Sequence, residues 1–321
     1  MNFPIKQILY PILMLSLSAG LSASDQVVKK SRSGICHDVS SPYYGKTTNY
    51  RPFGSLNDCL NSGGRLPKNS SGQVIASSTR MPSQSSGNRV LSGKGNTTNQ
   101  SFSKAKKILE RQVYFDHRTT FYCNAEFDER KNVIWPAGFT SEVYEKRSKR
   151  VEWEHVVPAE NFGRNFSEWR EGHPECVDSK GKRFKGRKCA EKMNTEYRFM
   201  QSDAFNLYPA TGSVNALRQN YNFTQFSSSE ESDFGSCQMK VSNRKVEPPV
   251  YTRGPIARTY LYMESVYPRY KMSKQQRQLM SAWDRKHPVT EWECERNKRI
   301  TKLQGNKNLV VENKCSSAGY E

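Results

Sequence analysis

The sequence predicts a mixed α+β fold: a helix-rich domain with short strands, stapled by disulfides and preceded by a small N-terminal appendage. Three observations predict it. Val151-Glu-Trp-Glu-His155 alternates apolar and polar residues, as a half-buried strand does. The C-terminal third repeats its apolar residues at helical spacing. Eight cysteines follow a leader of the export type, so they enter an oxidising compartment where disulfides are the default.

The leader comes first. Lys6 gives a basic start, Ile8 to Leu17 is apolar, and small residues run from Ser18 to Ser24. The apolar run is too short for a stop-transfer helix, and no later segment is long enough to span a bilayer. Residues 1–23 therefore read as a signal peptide, which implies a periplasmic or secreted product. Residues 24–68 form a small segment with Cys36, Cys59 and several tyrosines, too short for a large core and read as a disulfide-stapled appendage. Residues 69–101 are rich in Ser, Gly, Asn and Thr and read as a flexible linker. The main domain is expected over 102–321.

Within it, Ala105, Ile108, Leu109 and Val113 predict a helix from Ser103. Extended chain is expected at Phe121-Tyr-Cys123 and Val133-Ile-Trp135. Residues 161–189 read as a long polar loop whose second half, Lys180 to Lys188, is densely cationic. A helix is expected from Glu191 to about Ala204, and another from Val214 to Asn220 capped by Ser213. Ile256, Tyr260, Met263 and Tyr267 share one helical face. Ser273 caps a helix from Lys274 to about Arg285, and Thr290 caps a last one that Gly305 stops. Eight cysteines allow 105 pairings. Short loops favour Cys36–Cys59, Cys176–Cys189 and Cys294–Cys315, which leaves Cys123–Cys237. None forms a C-x-x-C pair, which argues against a zinc ribbon or a thioredoxin-type site.

Charge narrows the partner. The 321 residues carry 50 Lys and Arg against 31 Asp and Glu, a formal net charge of +19. Such an excess favours a polyanion, because each neutralised phosphate releases condensed counterions. Beside that charge, Glu154 and His155 form a carboxylate–imidazole pair. Phosphodiester hydrolysis needs an activated water, charge relief on phosphorus and help for the departing oxygen. A histidine titrating near pH ~6.5 can serve as the base, and a hard divalent cation on oxygen ligands supplies the rest. Successive strand residues face opposite ways, so the strand must end or bulge at this pair for both to serve one site. Two other classes remain at this point: a secreted basic nucleic-acid-binding protein without catalysis, and an exported glycoside hydrolase using Glu152 or Glu154. The second fits the basicity poorly.

Val151-Glu-Trp-Glu-His-Val-Val-Pro-Ala159 followed by Asn206-Leu-Tyr-Pro-Ala-Thr-Gly-Ser-Val-Asn215 resembles the bacterial endonuclease I family of ββα-metal, or His-Me finger, nucleases. The likeness continues through Asn220–Phe226, Ile256–Met263, Ser273–Trp283 and Glu291–Cys294, and spans roughly residues 103–315. It implies His155 as general base, Glu154 and Asn215 as the protein ligands of one Mg²⁺-like ion, and Arg187 as a contact to the cleaved phosphate. It also implies an exported enzyme that cuts DNA, and often RNA, with little sequence preference and leaves 5′-phosphate ends. From local spacing, Asn206 is expected in a loop buttressing the site. Arg218, one turn beyond Asn215, is expected to touch the nucleic-acid backbone. Glu152 reads as an exposed or paired carboxylate, and the chain is expected to act as a monomer. The sequence departs from the family pattern in two places: Gln201 stands where an acid is usual, and the cysteine cluster near Cys123 is reduced to that residue.

Overall fold

The computed structural model describes residues 27–39, 41, 43–54, 56–67, 94–227 and 231–320. The signal-peptide reading, and the linker reading over residues 69–93, lie outside the described residues. The chain divides into two units, residues 1–87 and 88–321.

In the first unit, strands β1 (Val28–Ser31), β2 (Cys36–His37) and β3 (Tyr50–Phe53) form an antiparallel sheet of order β2-β1-β3, followed by helix α1 (Leu56–Asn61). Its small core is Val28 with the Cys36–Cys59 disulfide, backed by Phe53, Leu56 and Leu60.

The second unit begins with a correction to the linker reading. Residues 94–101 pack on the body: the Asn96 amide nitrogen donates to the carbonyls of Asn99 and Phe199, and the Thr98 hydroxyl to that of Gln304. Ser101 caps helix α2 (Phe102–Ile108), which widens into a π-helical turn over Leu109–Val113. Ala105, Leu109 and Val113 enter the core, as their spacing predicts. Next come the hairpin β4 (Glu126–Phe127) and β5 (Val133–Ile134), the short helix α3 (Glu145–Ser148) and strand β6 (Val151–His155). Phe121-Tyr-Cys123, expected to be extended, is a turn. The expected long loop is also partly helical, with α4 (Ala159–Gly163) and α5 (Ser167–Arg170) before its cationic half.

The helix expected from Glu191 is two helices, α6 (Arg187–Met193) and α7 (Thr195–Gln201). Asn194 breaks them by turning its side-chain oxygen onto the backbone nitrogen of Tyr197. Strand β7 (Leu207–Thr211) pairs antiparallel with β6 from Val151↔Thr211 to His155↔Leu207, and helix α8 (Gly212–Arg218) follows directly. Thr211, not Ser213, occupies the position preceding α8; Ser213 lies inside the helix with its hydroxyl buried. Strands β8 (Asn222–Phe223), β9 (Lys240–Ser242) and β10 (Lys245–Glu247) make a small mixed sheet of order β8-β10-β9.

Helices α9 (Arg253–Val266), α10 (Lys274–Lys286) and α11 (Glu291–Gln304) build the C-terminal mass. Ser273 and Thr290 accept from Gln276 and Glu293 as caps, and Gly305 closes α11 in the left-handed conformation. The chain does not stop there. Helix α12 (Leu309–Ser317) brings Cys315 back to Cys294. The remaining disulfides are Cys123–Cys237 and Cys176–Cys189. Among the described residues, no helix is long and apolar enough to cross a membrane.

One buried carboxylate ties these helices to β7. Asp203, just before the strand, accepts from the hydroxyls of Tyr262 at 2.8 Å and Tyr267 at 2.6 Å, and from the Gln304 amide at 2.9 Å. It also accepts from the backbone nitrogen of Phe205 at 3.0 Å. Removing the carboxylate strands several buried donors together. Asp203→Ala is therefore expected to lose about 3 kcal/mol or more of stability, read from urea unfolding of the oxidised protein. A loss below about 1 kcal/mol would mean that water satisfies those donors instead.

Candidate active site

The β6–β7 ladder is regular up to His155↔Leu207, and β6 ends there. The strand therefore ends just after the pair, with no bulge between Glu154 and His155. Glu152 and Glu154 leave one side of the strand and Trp153 and His155 the other, yet all of them border one cleft of about 980 Å³ that wraps the strand end. Lys106, Lys107, Lys131, Arg147, Arg150 and Arg187 line the same cleft beside Glu110 and Glu160, so its walls carry an excess of positive charge.

His155 is buried, and its Nε2 lies 2.8 Å from the carbonyl oxygen of Gln201. A carbonyl only accepts, so Nε2 carries the proton and Nδ1 is left with its lone pair. Burial, reinforced by the charge of Arg187, lowers the imidazole pKa to about 3, which keeps the ring neutral in ordinary buffers. Phe102 packs against the ring with centroids 4.9 Å apart, and the guanidinium of Arg187 sits 5.5 Å from the other partner of that contact, the Phe102 centroid. Arg187 is exposed as the first residue of α6.

Glu154 is 3% exposed, low enough that it needs a partner. It receives the Tyr122 hydroxyl at 2.9 Å and forms an ion pair with Arg218 at 3.1 Å. Burial pushes its carboxyl up, and Arg218 and Tyr122 oppose that push. Here a sequence expectation fails. Arg218 does not reach toward nucleic acid; it is fully buried and donates to the carbonyls of His155 at 3.0 Å and Val156 at 2.6 Å. Its charge is spent on Glu154 and on the turn that follows the strand. Asn206 works on that same turn from the other side. Its side chain accepts from the Val157 nitrogen at 2.7 Å and donates to the Val157 carbonyl at 3.0 Å.

Asn215 lies on α8, at the cleft, and its amide nitrogen donates to Glu152 at 2.8 Å. Arg147 grips the same carboxylate through Nε at 2.8 Å and a terminal nitrogen at 2.5 Å. Gly212 permits this approach: a Cβ there would lie 2.4 Å from the Arg147 carbonyl oxygen and 2.9 Å from a Glu152 oxygen. The oxygen donors that Glu154 and Asn215 bring to the cleft suit a hard cation that keeps most of its waters. Among the described residues no group of three or more His, Cys, Asp or Glu side chains is placed to hold a metal ion.

The geometry thus brings Glu154, His155, Arg187 and Asn215 to one cleft, with Arg218 buried in its wall against Glu154. Sequence reasoning missed Tyr122, Phe102 and the Gln201 carbonyl. The departure at position 201 was a signal in the right place, but the contact is made by the backbone, which no side-chain pattern records.

The endonuclease I family model matches residues 96–315. This chain belongs to the endonuclease I family. It is 41% identical over 223 residues to an extracellular deoxyribonuclease of Aeromonas hydrophila, covering 67% of this chain and 91% of that protein. A periplasmic deoxyribonuclease of the same organism is also 41% identical, covering 67% of this chain and 87% of its own length. Endonuclease-1 of Buchnera aphidicola subsp. Baizongia pistaciae (strain Bp) is 36% identical over 224 residues, covering 67% of this chain and 84% of that protein. The family match begins at residue 96, where the structure has the chain already packed on the second unit. The first unit lies outside it.

Arg218→Leu removes the charge partner of a carboxylate that is 3% exposed. The expected loss is about 3–5 kcal/mol of stability, measured by chemical unfolding. An Arg218→Leu protein as stable as the parent would show that Glu154 is neutral in the fold.

Proposed function

We propose that this member of the endonuclease I family is an exported, sequence-nonspecific endonuclease that hydrolyses DNA, and RNA as well, and leaves 5′-phosphate ends. The observation that carries the reading is the state of His155. Its Nε2–H is fixed by the Gln201 carbonyl, which leaves Nδ1 unprotonated, and the residue borders a cleft rich in cations.

In this reading Nδ1 takes a proton from a water as that water's oxygen attacks phosphorus. Arg187, exposed on the cleft wall, holds a non-bridging oxygen of the phosphate and balances its growing charge. The bond to the 3′-oxygen breaks, so one product ends in a 3′-hydroxyl and the other in a 5′-phosphate. Glu154 and Asn215 would hold one divalent cation, Mg²⁺ in our reading. Such an ion, when bound, relieves charge on the phosphate and assists the departing oxygen. Arg218, Tyr122 and Asn206 keep the strand end in place while this occurs. The antiparallel β6–β7 pair followed by α8 is the set of elements that a ββα-metal finger requires, which supports assigning that motif here.

Weak sequence preference follows from the cleft's chemistry. Its charged groups include more cations, suited to phosphates, than carboxylates. The names of the relatives favour DNA; the backbone-directed grip adds RNA.

Plasmid DNA and a structured RNA incubated with the oxidised protein and Mg²⁺ should both be cut, and EDTA should stop the cutting. His155→Ala should keep its affinity for DNA and lose roughly 10²- to 10⁴-fold in rate. DNA left intact under all metal conditions, or a His155→Ala protein that cuts as well as the parent, would sink the reading. Raising salt from about 50 to 200 mM should weaken substrate binding steeply.

A further inference from the structure

Glu152 has no part in the chemistry above, yet it joins α8 to β6 at the cleft. We propose that Glu152 is a positioning residue that dictates which end of the Asn215 amide faces the metal site. The inference rests on the reading of Glu154 and Asn215 as ligands.

An asparagine amide has two ends of similar size and opposite chemistry. Only the oxygen can ligate a hard cation, and the nitrogen donates. An unrestrained side chain would sample both orientations, and half of them present N–H groups to the ion. Glu152 removes that choice. Its carboxylate accepts only, and it sits 2.8 Å from the Asn215 nitrogen, so the amide nitrogen must face Glu152 and the oxygen must face away. A glutamine or serine in its place would impose no such sense, because each can both donate and accept.

Glu152 is itself fixed. Arg147 binds its two oxygens in a fork, at 2.8 and 2.5 Å. The start of α8 comes so near the strand that Gly212 leaves no room for a Cβ. Asn215, three residues on, then falls on the same helical face and reaches the carboxylate. The order Arg147, Glu152, Asn215 is thus a relay of hydrogen bonds in which each partner has a single allowed sense.

Binding of Mn²⁺ to the intact, oxidised protein without nucleic acid, followed by electron paramagnetic resonance, tests this apart from catalysis. Glu152→Ala should weaken Mn²⁺ binding roughly 10- to 100-fold, while Glu152→Gln, which keeps an oxygen able to accept from Asn215, should fall between it and the parent. Cleavage by Glu152→Ala should drop more at low metal than at saturating metal. Should Glu152→Ala fail to fold, Glu152→Met occupies similar volume without an acceptor and carries the same expectation. Parental Mn²⁺ affinity in a folded Glu152→Ala or Glu152→Met protein overturns the proposal. The ligand reading is separable through Glu154→Ala. If Glu154→Ala abolishes binding and Glu152→Ala leaves it intact, only the positioning role falls. If the parent protein binds no Mn²⁺, the ligand reading falls and takes this inference with it.

Discussion

The ion pair between Arg218 and Glu154 is the constraint on which the site depends, because both groups are out of water. Removing a guanidinium and a carboxylate from solvent carries a large desolvation penalty that their mutual attraction barely offsets. The remaining donors must therefore be satisfied by something fixed. Here the two terminal nitrogens of Arg218 donate to the carbonyls of His155 and Val156, at the point where β6 stops, while its Nε is left without a partner. The arginine thus ties three things together: the carboxylate on one side of the strand, the backbone of the histidine that faces the other, and helix α8, which carries Asn215. A strand end would ordinarily fray. This one is bound on one flank by Arg218 and on the other by the side chain of Asn206.

Much of the molecule was legible in the sequence where the determining interactions are local. The caps at Ser273 and Thr290 and the stop at Gly305 involve residues within one turn of each other, so composition and spacing carry them. Strand β6 was legible for the same reason. Arg218 was not. One turn beyond Asn215 on a short helix, it has the spacing of a surface residue, and only its contact with a strand 63 positions earlier buries it. The break at Asn194 combines its local cap on Tyr197 with a tertiary neighbour, Glu168, which accepts from its amide nitrogen. Residues 94–101 illustrate the limit of composition. Their polar side chains resemble a linker's, but Asn96 and Thr98 spend their hydrogen bonds on the folded body.

The first unit presents the opposite economy of structure. A three-stranded sheet and one short helix cannot bury enough apolar surface to hold themselves, and a covalent link supplies what packing lacks. Cys36 and Cys59 are nearly inaccessible at the centre of its small core. The Lys29 ammonium lies over the rings of Tyr44 and Tyr50 and donates to two carbonyls of the covering loop, so even its charge is used for cohesion. The family match leaves this unit out, and the cleft is lined entirely by the second.

Charge at the cleft does two jobs that are usually treated separately. Lysines and arginines attract a phosphate backbone, and a protein meant only to bind nucleic acid would need nothing more. Here the same charges act on His155. Burial is the main reason His155 stays unprotonated, and Arg187, Arg218 and Lys106 add to it. A neutral imidazole in a cationic cleft can accept a proton but is reluctant to keep one from solvent before substrate arrives. In the proposed mechanism, a phosphate bound beside Arg187 would offset that repulsion and raise the proton affinity of Nδ1 as water is placed for attack. The fixed Nε2–H···O=C bond to Gln201 would then stabilise the imidazolium through a group that cannot itself titrate. An acidic side chain in that role would raise the basicity of the ring in the free enzyme as well. A backbone carbonyl orients the histidine without adding a full charge, which leaves the substrate to complete the electrostatics of the step.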